Sequence, residues 1–216
     1  MGSAVVVGVD VGTTATKVVA YREDGVAVAE AMREYPLDSP EPGWAEQDAD
    51  ALVDAAFDAL AEVVDRAGPS TVTAVGLSTV MHSLLGLDAD DRPLTPTITF
   101  ADSRAWTQAL RLRRDRGVSL YRATGTPLHP MAPLLKLVWF GEHRLDLADQ
   151  VRRWISIKEL TVNAASAPAN AHTADKATHA TENGGDDRLR PRGGVSRGLN
   201  HVARSRRDEH SGDTTD

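Results

Sequence analysis

Residues 4–17, AVVVGVDVGTTATK, constrain the fold more than any other stretch of the chain. Residues 4–9 are small or β-branched, which predicts a buried central strand. The run ends on a carboxylate, Asp10, followed by Gly12, Thr13, Thr14 and Thr16, and then by a second strand pattern over residues 17–22. Gly12 permits a tight turn whose backbone N–H groups converge on one anion. The hydroxyls of Thr13 and Thr14 add two donors. Asp10 repels a bare phosphate, so it makes chemical sense there only with a cation, most simply Mg²⁺ in its water shell. Carboxylate, glycine turn and hydroxyls together predict a hairpin for nucleotide phosphates; the alternative is an ordinary hairpin with a polar turn. No G-x-x-x-x-G-K-[ST] stretch is present, so this is not a Walker loop.

The pattern continues as α/β. Residues 17–22 and 26–33 flank Glu23-Asp24-Gly25, whose Asp-Gly step is hairpin chemistry. The chain thus opens with three antiparallel strands. A Pro-rich loop over 38–43 leads through Trp44-Ala45-Glu46-Gln47-Asp48 into a helix with Asp48 as N-cap. Its apolar face is Leu52, Ala55, Ala56, Ala59, Leu60 and Val63, and Gly68-Pro69 ends it. Strands are predicted over 73–78, 84–87 and 97–100. A helix opens at residues 101–104 and runs to about Arg114, with Arg111, Arg113, Arg114 and Arg116 on a solvated face. Residues 121–133 read as a loop, 134–142 as a helix and 151–157 as a strand. A Rossmann fold is disfavoured, because no G-x-G-x-x-G turn opens a helix.

Composition narrows the function classes. A formal net charge of −7 disfavours nucleic acid and anionic membrane surfaces as partners. The absence of cysteine excludes disulfides and thiolate metal sites. Residues 1–9 lack a basic leader and no run approaches about 20 apolar residues. A cytoplasmic protein is the expectation.

Six features occur in order: the residue 10–14 turn, Trp44-Ala45-Glu46-Gln47-Asp48, Met81-His82, Ala101-Asp102-Ser103-Arg104, and the stretches at 124–131 and 154–159. Together they resemble the FGGY family of carbohydrate kinases, and within it the gluconokinase branch; xylulokinase-like members are the neighbouring alternative. The resemblance covers residues 4–159. It implies the actin-like (RNase H-like) ATPase fold, with only the N-terminal part of it in this chain, and ATP-dependent phosphorylation of a sugar or sugar acid, gluconate favoured. ATP and Mg²⁺ are the implied cofactors. Asp10, Gly12, Thr13 and Thr14 match the family's phosphate motif, with Asp10 on Mg²⁺ through water. Met81, His82, Asp102, Arg104 and His129 match stretches near the sugar, Arg104 being suited to the gluconate carboxylate.

Bland alternatives stand beside each. His82 and His129 can be loop histidines, Met81 can pack or offer only backbone groups, and Asp102 can simply cap a helix beside a surface Arg104. Trp44 and residues 46–48 read as structural.

The family's catalytic base, an Asp, has no counterpart here. Asp175, Asp186 and Asp187 match no motif. The chain alone is therefore expected to be inactive. A non-catalytic nucleotide-binding module and an inert fragment are the readings from other classes.

At Leu160 the character changes. Residues 161–216 hold no Phe, Trp, Tyr or Met, two Leu, and eight basic against eight acidic residues. Such a segment buries too little apolar surface to offset its ordering entropy. The expectation is an incomplete kinase domain over 1–160 and a disordered tail over 161–216, arising from a frameshift at about codons 159–161.

Overall fold

The protein's structure, a computed structural model, describes residues 3–166. Strands β1 (Val5–Val11), β2 (Ala15–Arg22) and β3 (Ala27–Glu34) form an antiparallel meander. Burial alternates along β1: Val5, Val7, Val9 and Val11 are buried, while Val6, Gly8 and Asp10 are exposed. This is the two-residue period of a strand covered on one face. The predicted strand is thus central in the sheet but buried on one side only. Gly25, at a φ of 79°, supplies the left-handed step of the β2–β3 turn.

A two-residue strand, β4 (Glu46–Gln47), precedes helix α1 (Ala49–Ala67). Asp48 caps α1, accepting hydrogen bonds from the amides of Asp50 and Ala51. Leu52, Val53, Ala56, Ala59, Leu60 and Val63 are buried, and the helix stops at Gly68 with φ 87°. Helix α1 lies across β1, β2 and β3, and the chain returns as β5 (Val72–Thr79), parallel to β1. The sheet order is β3-β2-β1-β5.

The chain then leaves the sheet. Strands β6 (Leu85–Leu87) and β7 (Thr97–Ile98) precede helix α2 (Trp106–Thr124) and helix α3 (Pro133–His143). A short turn of helix, α4 (Leu145–Ala148), strand β8 (Arg153–Ile155) and helix α5 (Ile157–Ser166) follow. The ribbons β4–β7 and β6–β8 and helices α2 and α3 enclose a second core of Leu84, Ile98, Ala109, Leu135, Trp139 and Phe140. Helix α5 returns to α1 and β5, adding Ile157 and Leu160 to the first core.

The predicted strands over 97–100 and 151–157 are shorter, Thr97–Ile98 and Arg153–Ile155, and α2 starts at Trp106 rather than at 101–104. The largest differences from the sequence reading are at two helix C-termini. Helix α2 extends to Thr124 instead of stopping near Arg114, so residues 121–124 are helical and not loop. Its arginine run includes both solvated groups and Arg113, which donates to the Leu128 carbonyl at 2.7 Å. Helix α5 carries past residue 160 to Ser166, with Leu160 and Thr161 buried, so regular structure does not stop at residue 160. The tail expected to be disordered, with Asp175, Asp186 and Asp187, otherwise lies outside the described residues. Among the described residues no helix is long and apolar enough to cross a membrane.

Candidate functional site

The turn between β1 and β2 is held from behind by its own carbonyls. The Gly12 amide donates to the Ala15 carbonyl at 3.0 Å. A side chain at Gly12 would place its Cβ 3.0 Å from that same oxygen, so the turn favours glycine on space alone. The Gly12 carbonyl accepts from the Tyr35 hydroxyl at 2.8 Å, the Thr13 carbonyl from Gln47 Nε2 at 2.7 Å, and the Thr14 carbonyl from the Tyr35 amide at 3.2 Å. Three successive carbonyls are thus turned toward the protein. Among the described residues no acceptor takes the Thr13 or Thr14 amide. A row of free amides with its carbonyls anchored is the geometry of an anion cradle. Burial raises the pKa of the Tyr35 phenol, and the Asp10 charge adds to that effect, so Tyr35 stays a donor.

Asp10 is exposed at the carboxyl end of β1, opposite Lys17 on β2 and Ser78 on β5. The Lys17 ammonium pairs with Glu30 at 3.3 Å. The Val80 amide donates to the Val11 carbonyl at 2.8 Å, which brings the end of β5 against the Gly12 turn. Met81 and His82 follow directly. Parallel pairing therefore places the two predicted segments, residues 10–14 and 81–82, side by side at the carboxyl ends of adjacent strands, where α/β sheets bind ligands.

His82 is half-buried and has a φ of 62°, which is uncommon for a residue other than glycine. Its carbonyl accepts from the Lys136 ammonium at 2.6 Å. Met81 is 71% exposed, so its side chain does not pack.

Asp102 and Arg104 correct the sequence reading. Their side chains are 0% and 2% exposed, so neither is presented to a ligand. Arg104 Nε donates to both Asp102 oxygens at 3.0 Å, and Nη2 reaches Glu46 at 2.6 Å. The guanidinium lies 3.8 Å from the centroid of a Trp44 ring and 5.1 Å from one of Trp139. Asp102 also accepts the amides of Ala45 at 2.8 Å and Arg104 at 3.0 Å. The pair ties the loop before β4 to the entry of α2, with Glu46 and Trp44 in the same structural unit.

His129 is exposed on the loop between α2 and α3. Its Nδ1 accepts from the Met131 amide at 3.3 Å, and its ring meets Trp106 edge-on at 6.4 Å. No hydrogen bond joins it to His82 or to the Gly12 turn among the described residues. The sequence reading missed Tyr35 and Lys136, and it gave Gln47, within the residue 44–48 motif, a structural part only, which its bond to the Thr13 carbonyl fits. Tyr35 and Lys136 have no local signal, because their partners lie far away in the chain.

The donor set suits the phosphate end of a nucleotide: two free amides, two hydroxyls and one exposed carboxylate. Among the described residues no group of three His, Asp or Glu side chains is placed to hold a metal by itself. A cation at Asp10 would keep most of its shell from water and phosphate oxygens, which suits Mg²⁺.

Comparison with known proteins gives consistent relatives. Residues 5–181 match the N-terminal domain of the FGGY family of carbohydrate kinases. A gluconokinase of Bacillus subtilis is 37% identical over 153 residues, which is 70% of this chain and 30% of that protein. Gluconate kinase from Lactobacillus acidophilus superposes with a TM-score of 0.69 at 37% identity, over 74% of this chain and 33% of that one. Ligand-bound xylulose kinase from the same organism gives 0.71 at 38% identity, over 74% and 32%. The chain spans about 30% of the length of the curated relatives it matches.

Proposed function

The chain belongs to the FGGY family of carbohydrate kinases, and from that premise we propose that it forms the phosphate-binding turn and one wall of the sugar site of an ATP-dependent kinase acting on gluconate or a related sugar acid. The observation that carries the reading is the juxtaposition at the sheet's carboxyl end: Asp10 beside Ser78, and the Gly12 turn beside Met81-His82.

Each residue has a distinct task. The Thr13 and Thr14 amides and hydroxyls bind phosphate oxygens. Asp10 holds Mg²⁺ through water, and the cation supplies neutralisation of phosphate charge. The His82 imidazole bonds a substrate hydroxyl and fixes its approach to the phosphate turn, a positioning contribution. His129 is a candidate for the far end of the sugar. Among the described residues none is assigned as general base.

Gluconate rests on its gluconokinase relatives and not on a charge in the site. With Arg104 sealed against Trp44, the cation expected to select a carboxylate is withdrawn. That observation favours a neutral polyol such as xylulose as the second reading. Calorimetric titration of the full chain with Mg·ADP, then with gluconate and xylulose, decides among them. Mg·ADP binding that Asp10→Asn weakens is expected, with gluconate bound more tightly than xylulose. Nucleotide binding indifferent to Asp10 would overturn the phosphate reading, and a xylulose preference the gluconate one.

A further inference from the structure

Lys136 is fully buried on α3. Among the described residues no carboxylate pairs with its ammonium. It donates instead to three carbonyls: His82 at 2.6 Å, Thr99 at 2.8 Å and Ile98 at 3.4 Å. An apolar side chain of the same length would fill this space without the cost of burying a charge. What the ammonium adds is direction. It joins the exit of β7 to the turn after β5, and the carbonyl it grips most closely belongs to His82, the residue held in the left-handed region.

We propose that Lys136 is the positioning residue of the substrate turn: its ammonium pins the His82 carbonyl against the β7 exit and so keeps the imidazole beside the phosphate turn. The proposal rests on the reading of His82 as a sugar contact.

The surroundings make this clamp sensitive to pH. Burial pushes the Lys136 ammonium down to about 8, Asp102 opposes that shift and Arg104 adds to it. From the turn, the titratable group is the His82 ring, which follows on from the gripped carbonyl. On α3 itself Glu142 is engaged by Arg111 and Gln108, and the His143 ring stacks on Trp139. A neutral amine has two N–H groups for three carbonyls, so one contact must go. The loosened turn and the global stability then move in opposite directions. The folded pKa lies below the unfolded value of 10.5, so the unfolded chain binds more protons between pH 8 and 10.5, and this group's contribution to stability rises with pH there.

The test is amide NMR on the full chain, following Ser83 and Phe100, whose peptide bonds carry the His82 and Thr99 carbonyls. An inflection near pH 8 is expected in the wild type and its loss in Lys136→Met. Flat profiles between pH 7 and 9.5, or the same inflection in the variant, overturn the proposal. If Lys136→Met does not fold, the wild-type profile decides alone. Gluconate titration at pH 7 and pH 9 adds the functional arm: a loss of up to about tenfold in affinity is expected, because only about a tenth of the clamp stays protonated at pH 9. Undetectable gluconate binding at both pH values with the inflection intact overturns the substrate reading and leaves the clamp standing. PH-independent gluconate binding overturns the positioning role.

Discussion

Arg104 meets two carboxylates and two tryptophan faces while almost wholly out of water. Removing the cation strands Asp102 and Glu46, so Arg104→Met is expected to lower stability by about 3–5 kcal/mol in urea denaturation. Arg104→Lys is expected to recover little, because a point charge replaces neither the bidentate bond nor the stack. A loss below about 1 kcal/mol for Arg104→Met would return the residue to the list of ligand groups. At the phosphate turn, Tyr35→Phe removes the bond to the Gly12 carbonyl, worth about 1 kcal/mol. Weaker Mg·ADP binding is expected from it without any change in sugar binding, read by calorimetry. Asp10 and the turn residues could be proposed from the sequence because glycine, hydroxyls and a carboxylate are local signals. Tyr35 and Lys136 could not, because a donor's worth depends on carbonyls that folding delivers from elsewhere.

Among the elements, α1 was the easiest to read: cap, apolar face and glycine stop all fall in sequence order. Asp48→Ala is expected to cost about 1 kcal/mol, measured by thermal or urea unfolding. Helix α2 was underestimated by ten residues, because an arginine run and Gly117 carry a weak helical pattern, and packing against α3 with the Arg113 bond to Leu128 supplies what the pattern lacks. The sheet shows a liability. Its face away from α1 exposes Val6 at 49% and Met32 at 55%, with Tyr21 beside Val6, and the outer edge of β5 pairs with no strand among the described residues. Val6→Thr combined with Met32→Lys is expected to reduce light scattering on concentration while changing stability by less than about 0.5 kcal/mol. Unchanged scattering would place the association elsewhere.

At the scale of the molecule, the proposed function makes the described residues one wall of a cleft, with a phosphate turn and a sugar-facing turn and no group assigned as base. The purified chain is expected to show no gluconate-dependent ATP turnover above a blank; turnover at ordinary kinase rates of about 1–100 per second would overturn this. The change in composition after residue 160 carries a separate expectation. Helix α5 runs six residues beyond it and the family match extends to residue 181, whereas the aromatic residues stop at Trp154. Translating the downstream nucleotides in the other two frames is expected to restore an apolar α/β pattern that includes aromatics and an Asp. Two frames without one would leave the polar segment as an in-frame part of the protein.

The sequence by itself determined the meander, the capped helix and the strand that follows it, because each rests on a short-range rule: an apolar run, a cap, a glycine at a turn. That the last strand runs parallel to the first came from the tertiary structure. The sequence also carried the family, through six motifs in order. Only the tertiary structure decided which polar residues face a ligand. Asp102 and Arg104 look like site residues in a line of text, yet the fold turns them onto each other and onto Trp44. Lys136 looks like a helix-surface lysine, yet the fold closes it over three carbonyls. A charged side chain is assigned to solvent, ligand or interior by what packs around it, and that is settled by contacts between residues dozens of positions apart.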